Sequence, residues 1–175
     1  MTDTPKSRLY IDFATTVGRA HFAWLSEPDT GEYSDGLYKV TISFLKDDPI
    51  VEQLKTTIYE AAQREFRDQP PEPFHMPLKD GDTSGKEQYA GRVFMNVKSK
   101  KTPILVDVDN TDLPRNMTIV TGDMIRVAGK AKAYRGPYNG VALHLDMVKL
   151  IKAADLTPTN QLKASKVFGQ DTPPI

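Results

Sequence analysis

The sequence predicts a mainly β domain, a small closed or nearly closed antiparallel barrel that carries one substantial α-helix. Three observations lead there. Several short stretches alternate apolar and polar residues with period two, as half-buried strands do. Segments rich in Gly, Pro, Asn and Asp, the residues that turns demand, separate them. One stretch, residues 48–66, instead repeats its apolar residues at helical spacing. Strands at short spacing around a single helix suit an antiparallel barrel.

In chain order, residues 9–13 form a short strand candidate, and residues 16–25 a second with Ala20, Phe22 and Trp24 on one face. Trp24 is assigned to the core because of the area an indole buries. Residues 27–36 are dense in turn formers and read as a hairpin loop. The strand at 37–45 points Tyr38, Val40, Ile42 and Phe44 inward and Lys39, Thr41 and Ser43 outward. Asp48 is placed to cap the helix, with Pro49 at its first position and Ile50, Leu54, Ile58, Ala61, Ala62 and Phe66 on its apolar stripe. Prolines at 70, 71 and 73 end it, since proline cannot continue the hydrogen-bond ladder. Residues 76–91 read as a loop. Strands follow at 92–100, 104–108, 124–134 and 141–151, the last with Val141, Leu143, Leu145 and Met147 on one face. Asn139-Gly140 is expected to close a tight hairpin turn. The domain is expected to occupy residues 1–152, followed by a polar, mobile C-terminal tail over 153–175.

Bulk properties exclude several classes. A chain of 175 residues is long enough to bury a real core as one domain, and 39% hydrophobic with 26% charged residues suits a soluble protein. No apolar run reaches the length of a membrane span, and the first residues lack the apolar centre of a signal peptide. With no cysteine, disulfides and thiolate metal sites are excluded, which fits a reducing cytoplasm. The net charge of zero is unevenly distributed. Residues 1–91 hold ten Lys/Arg against sixteen Asp/Glu, a net of −6. Residues 92–135 hold nine against four, a net of +5, and residues 136–175 a net of +1.

That basic excess sits on two strands. On the first, Arg92, Phe94, Asn96, Lys98 and Lys100 share one face, opposite Val93, Met95 and Val97, and Lys101 follows directly. On the second, Arg126, Lys130, Lys132 and Tyr134 share one face, opposite Ile125, Val127, Ala131 and Ala133; Arg135 and Tyr138 lie just beyond. Each strand thus has a core face and a cationic face carrying an aromatic ring. Cations for phosphates and ring faces for unstacked bases are what single-stranded nucleic acid requires, and the OB-fold is the barrel most used for it. The residues assigned to phosphate are Arg92, Lys98, Lys100, Lys101, Arg126, Lys130, Lys132 and Arg135. Base stacking is assigned to Tyr134 and Tyr138. Phe94 is left open between a stacking platform and a core residue covered by the 76–91 loop.

Catalytic constellations find no support. Asp107, Asp109 and Asp112 form the densest acidic run, but it lacks the glycine and closing glutamate of a calcium loop and reads as a solvated turn. His21, His75 and His144 share no metal-ligand spacing. No phosphate-binding glycine loop and no nucleophile elbow is present, so neither cofactor nor metal is expected. Two other readings stay open: a scaffold module whose basic face meets an acidic protein, and a metal-dependent nuclease using the three aspartates.

Several ordered motifs resemble a known family. They are the run from Tyr89-Ala90-Gly91-Arg92 to Ser99-Lys100, Pro103, Val106-Asp107-Val108-Asp109 and Gly122-Asp123, with Pro77-Leu78-Lys79-Asp80-Gly81-Asp82, Tyr134 and Asn139-Gly140-Val141-Ala142-Leu143. Over residues 37–152 they resemble phage and prophage single-stranded DNA-binding proteins, which are similar to the OB-fold replication proteins of podoviruses. The resemblance implies a non-catalytic, OB-type protein that coats single-stranded DNA in phage replication, recombination or repair, in the host cytoplasm. Such proteins often end in an acidic tail with a terminal aromatic. Here Asp171 and Pro173-Pro174-Ile175 stand instead, so self-inhibition by the tail is not implied, while docking of replication or recombination partners there remains an expectation.

Overall fold

A computed structural model describes residues 9–32, 34–67 and 72–154. The tail expected at 153–175 lies outside the described residues from 155 onward. The elements run β1 (Ile11–Ala14), β2 (Gly18–Trp24), β3 (Tyr38–Leu45), α1 (Ile50–Phe66), β4 (Phe74–His75), β5 (Leu78–Asp80), β6 (Arg92–Ser99), β7 (Ile104–Val106), β8 (Met124–Tyr134) and β9 (Asn139–Lys152). The fold is mainly β with one α-helix among the described residues.

One sheet takes all these strands, in the order β1-β8-β2-β3-β6-β9-β4, with β5 on β6 and β7 on β9. The two basic strands, β6 and β8, are not neighbours: β9 lies between them, pairing Lys98 with His144 on one side and Lys130 with His144 on the other. Nor is the sheet uniformly antiparallel, because β4, β6 and β7 all meet β9 in parallel.

Alternation predicts the inner faces of β3, β6 and β8. Val40, Ile42, Phe44, Met95, Val97, Ile125, Val127, Ala131 and Ala133 are all buried. Removing each large apolar side chain among them from water contributes about 1.5–3 kcal/mol. The helix supplies the other side of the core through Ile50, Leu54, Ile58, Ala61, Ala62 and Phe66, packing on β8, β1 and β9. Its start is as expected: Ile50 N–H donates to Asp48 Oδ1 at 2.9 Å, with Pro49 already helical.

One-residue bulges break the alternation once in β2 and twice in β9. In β2 the partner of His21 is Thr41 and that of Trp24 is Lys39, so one extra residue lies on β2. Ala20 is therefore core, whereas Phe22 and Trp24 are exposed, and the core assignment of Trp24 is corrected. In β9 the partners of Ala128 and Gly129 are Met147 and Leu145, leaving Asp146 as the extra residue. Met147 turns outward in consequence, and Val148 takes the core position expected of it.

Two loop expectations also change. The 76–91 segment contains β5 and a short 3-10 helix, Glu87–Tyr89. Gly81 N–H donates to Arg92 O, and Gly91 N–H to Asp82 Oδ1 at 2.7 Å, fastening the segment over β6. Asn139-Gly140 belongs to β9 rather than to a tight turn, since Tyr134 pairs with Gly140. A side chain at Gly140 would meet the Tyr134 hydroxyl at 2.6 Å and His75 O at 2.7 Å, which explains the glycine.

Gly129 answers a similar constraint at the β9 bulge, where an added Cβ would lie 1.8 Å from the carbonyl oxygen of His144. Gly129→Ala should therefore lower stability by about 1–3 kcal/mol, as overpacking does, seen as a fall in the urea midpoint. An unchanged midpoint would show that the bulge relaxes freely.

Candidate nucleic-acid interface

The outer face of the β8–β9 hairpin forms the floor of a trough. One part, of about 420 Å³, is lined by Lys79, Asn96, Lys98, Lys100, Tyr134 and His144 together with His75, Met76 and Pro77. A second part, of about 600 Å³, is lined by Tyr10, Lys132, Tyr134, Arg135 and His144. Tyr134, Ala142 and His144 belong to both, so the two join into one surface.

Local structure explains why these side chains meet. Lys132 and Tyr134 have the outward parity of β8, and His144 has that of β9 above its bulge. β1 pairs antiparallel with the same stretch of β8, Ile11 facing Ala131, which carries the preceding Tyr10 alongside Lys132. The Lys132 ammonium stands 5.0 Å from the centre of the Tyr10 ring, and Tyr10 lies 5.9 Å from His144. Tyr134 and Tyr138 are exposed, and Tyr138 meets His75 edge-on at 5.4 Å. Burial holds the His144 imidazole below its ordinary pKa, helped by Lys132 and Lys100, while Asp146 opposes them.

Other cations of the expected set are already paired with protein groups or lie outside the trough. Lys98 lies 2.8 Å from Asp35, whose carboxyl is held well below the usual carboxylate range chiefly by that hydrogen bond. Lys130 pairs with Asp146 at 2.7 Å and lines neither part of the trough. Arg135 bridges to the helix end, donating to Glu65 Oε1 at 2.7 Å and Glu65 O at 2.8 Å, with its guanidinium 4.7 Å above the Phe66 ring. Arg126 donates to Thr15 O at 2.7 Å and lines a different depression beside Met147 and Lys149. Lys101 is exposed in the turn after β6, outside the trough.

Phe94 is settled as core. It is buried, with the Tyr89 ring stacked on it at 4.1 Å and 10° between planes, so the position of a stacking base is taken by Tyr89. Arg92 is drawn into the same covered region, where Nε donates to Ser43 Oγ at 2.8 Å and Nη2 to Ser43 O at 3.0 Å. Ser43 Oγ also lies 2.8 Å from His21 Nε2, joining the two in one buried hydrogen bond. Burial lowers the His21 pKa to about 4, reinforced by Arg19 and Arg92.

The trough therefore gathers Lys98, Lys100, Lys132, Tyr134 and Arg135 of the expected set, and adds Tyr10, Lys79 and His144. The parity of His144 against the core positions of β9 was its signal in the sequence. For Tyr10 there was none, because its place depends on the β1–β8 register. The Asp107 run is a turn, with Asp107 Oδ1 accepting from the Asp109 and Thr111 N–H groups. Among the described residues no group of three or more His, Cys, Asp or Glu could hold a metal ion, and no helix is long and apolar enough to cross a membrane.

Comparison with known proteins adds the following. The family profile described as "Enterobacter phage Enc34, ssDNA-binding protein" matches residues 12–173. No curated protein matches the chain in sequence. Among solved structures, gp2.5, a single-stranded DNA binding protein encoded by bacteriophage T7, superposes with a TM-score of 0.66 at 20% identity, over 82% of this chain and 92% of that one. The single-stranded DNA-binding protein from bacteriophage Enc34 in complex with ssDNA gives 0.68 at 16% identity, over 82% and 88%. Its C-terminal truncation gives 0.67 at 17%, over 82% and 87%. At these identities the structural matches show a shared fold.

The buried histidine makes stability depend on pH. Folding holds His21 neutral below the ordinary imidazole pKa, so the unfolded chain binds the extra proton first as pH falls. Its contribution is fully present above pH 6.5 and is lost as pH drops from there toward about 4. His21→Gln should flatten the urea midpoint across that window; an equally steep profile in the variant would place the sensitivity elsewhere.

Proposed function

The chain belongs to the family of the Enterobacter phage Enc34 ssDNA-binding protein, and on that premise we propose that it coats single-stranded DNA without sequence preference. The work it serves is phage DNA replication, recombination or repair, by stoichiometric binding rather than catalysis. The observation that carries the reading is the trough, whose walls Lys79, Lys98, Lys100 and Lys132 share with the exposed Tyr134 ring. Cations along a groove neutralise phosphates, and ring faces take bases regardless of their identity. Lys100 and Lys132 are its principal phosphate contacts, and Tyr134 its stacking platform with Tyr138 at the margin.

The scaffold proposed is a barrel of the OB type, forming one DNA-binding domain up to residue 152. Pairings in support run β8 to β2, β2 to β3, β3 to β6, β6 to β9 and β9 back to β8. The circuit is uneven, with a single pair joining β6 to β9 against eleven between β8 and β9.

Salt dependence of binding to oligo-dT tests the reading. Affinity should fall with rising salt, and Lys100→Ala and Lys132→Ala should each flatten the logarithmic slope by about 0.7, the value for one neutralised phosphate on a single strand. An unaltered slope in both variants would remove the trough as the binding site. Tyr134→Ala should cost about 1–3 kcal/mol of affinity at every salt concentration. A folded Tyr134→Ala protein that binds at full strength would rule out stacking there.

A further inference from the structure

The β2 bulge brings out an aromatic residue that regular alternation would have hidden. Three steps along β2, from His21 to Trp24, span two along β3, from Thr41 to Lys39, so Trp24 emerges on the face of Thr41 and Lys39. The positive φ of Phe22, 50°, is the backbone cost of that insertion. Register then sets one row across the sheet: Trp24 beside Lys39, Lys39 beside Lys98, Lys98 beside His144. Lys98 and His144 already line the trough. With neighbouring strands about 4.8 Å apart, Trp24 stands roughly 10 Å from Lys98. It is 39% exposed and Phe22 is 55% exposed, and both edge a depression of about 360 Å³ walled by Ile119 and Val120.

We infer that the DNA path continues beyond Lys98 to Trp24, which stacks an unpaired base at the far end of the site. This rests on the assignment of the trough to single-stranded DNA. An indole with more than a third of its surface in water gains from being covered by a base, and Lys39 stands between the two ends to meet the intervening phosphate. Lys39 now pairs with Asp29 at 2.9 Å and Asp35 at 3.3 Å. Asp35 also holds Lys98, so a phosphate entering here displaces one carboxylate shared by both lysines. Glu27 is the one carboxylate on the wall of the depression, and the occupant proposed for that space is an uncharged base.

The chain has a single tryptophan, so emission excited at the red edge of the indole band, beyond tyrosine absorption, reports on this position alone. Saturating the protein with long oligo-dT should quench that emission. Trp24→Ala should weaken binding to the same oligonucleotide by about fivefold to a hundredfold, while Trp24→Phe keeps most of the affinity. Saturated binding with unmoved emission, or full affinity in Trp24→Ala, overturns the inference and leaves the trough standing. Failure of the unaltered protein to bind oligo-dT at all would sink the trough assignment and this extension together.

Discussion

The antiparallel ladder between β8 and β9 is the constraint on which the other elements depend. β1 and β2 are hydrogen-bonded to β8, while β4, β6 and β7 are hydrogen-bonded to β9. The remaining strands, β3 and β5, attach through β6. Sliding β8 by one residue against β9 would exchange the inner and outer faces of β8. It would place Lys132 and Tyr134 against the helix and Ala131 and Ala133 in water. Core and interface are thus two sides of one register, and the hydrophobic cost of exposing the first keeps the second in place.

Electrostatics shape the outer side more than net charge does. Lys98, Lys130 and Arg135 already hold carboxylates, whereas Lys100 and Lys132 have no carboxylate partner among the described residues. Exposed ion pairs contribute little to stability, roughly 0–1 kcal/mol, so exchanging a carboxylate for a phosphate disturbs the fold only slightly. The same exchange tempers affinity, because part of the attraction is spent on displacing a resident anion. A neutral protein can in this way hold a polyanion without being a general polycation.

Alternation made most of the framework legible from sequence. The inner faces of β3, β6 and β8 and the apolar stripe of α1 all follow from periods of two and 3.6. What escaped depends on single insertions and on distant segments. Nothing local at Phe22 or Asp146 announces an extra residue, yet each one turns the next large side chain, Trp24 or Met147, outward. Phe94 has the parity of a surface residue and is core only because Tyr89, from a segment read as loop, covers it. The cationic half of the site was visible as charge on strands. Its aromatic partner Tyr10 was not, since that pairing is made across more than a hundred residues of sequence.

The position of Tyr10 also governs how the protein can be handled. Leu9 and Tyr10 form part of the trough wall. At the other end Ala154 N–H donates to Asp123 Oδ1, beside the segment that walls the Trp24 depression. A fluorophore attached at Leu9 is therefore placed beside Lys132 and His144, and one attached at Ala154 is placed beside Asp123. The two positions report on different parts of the surface.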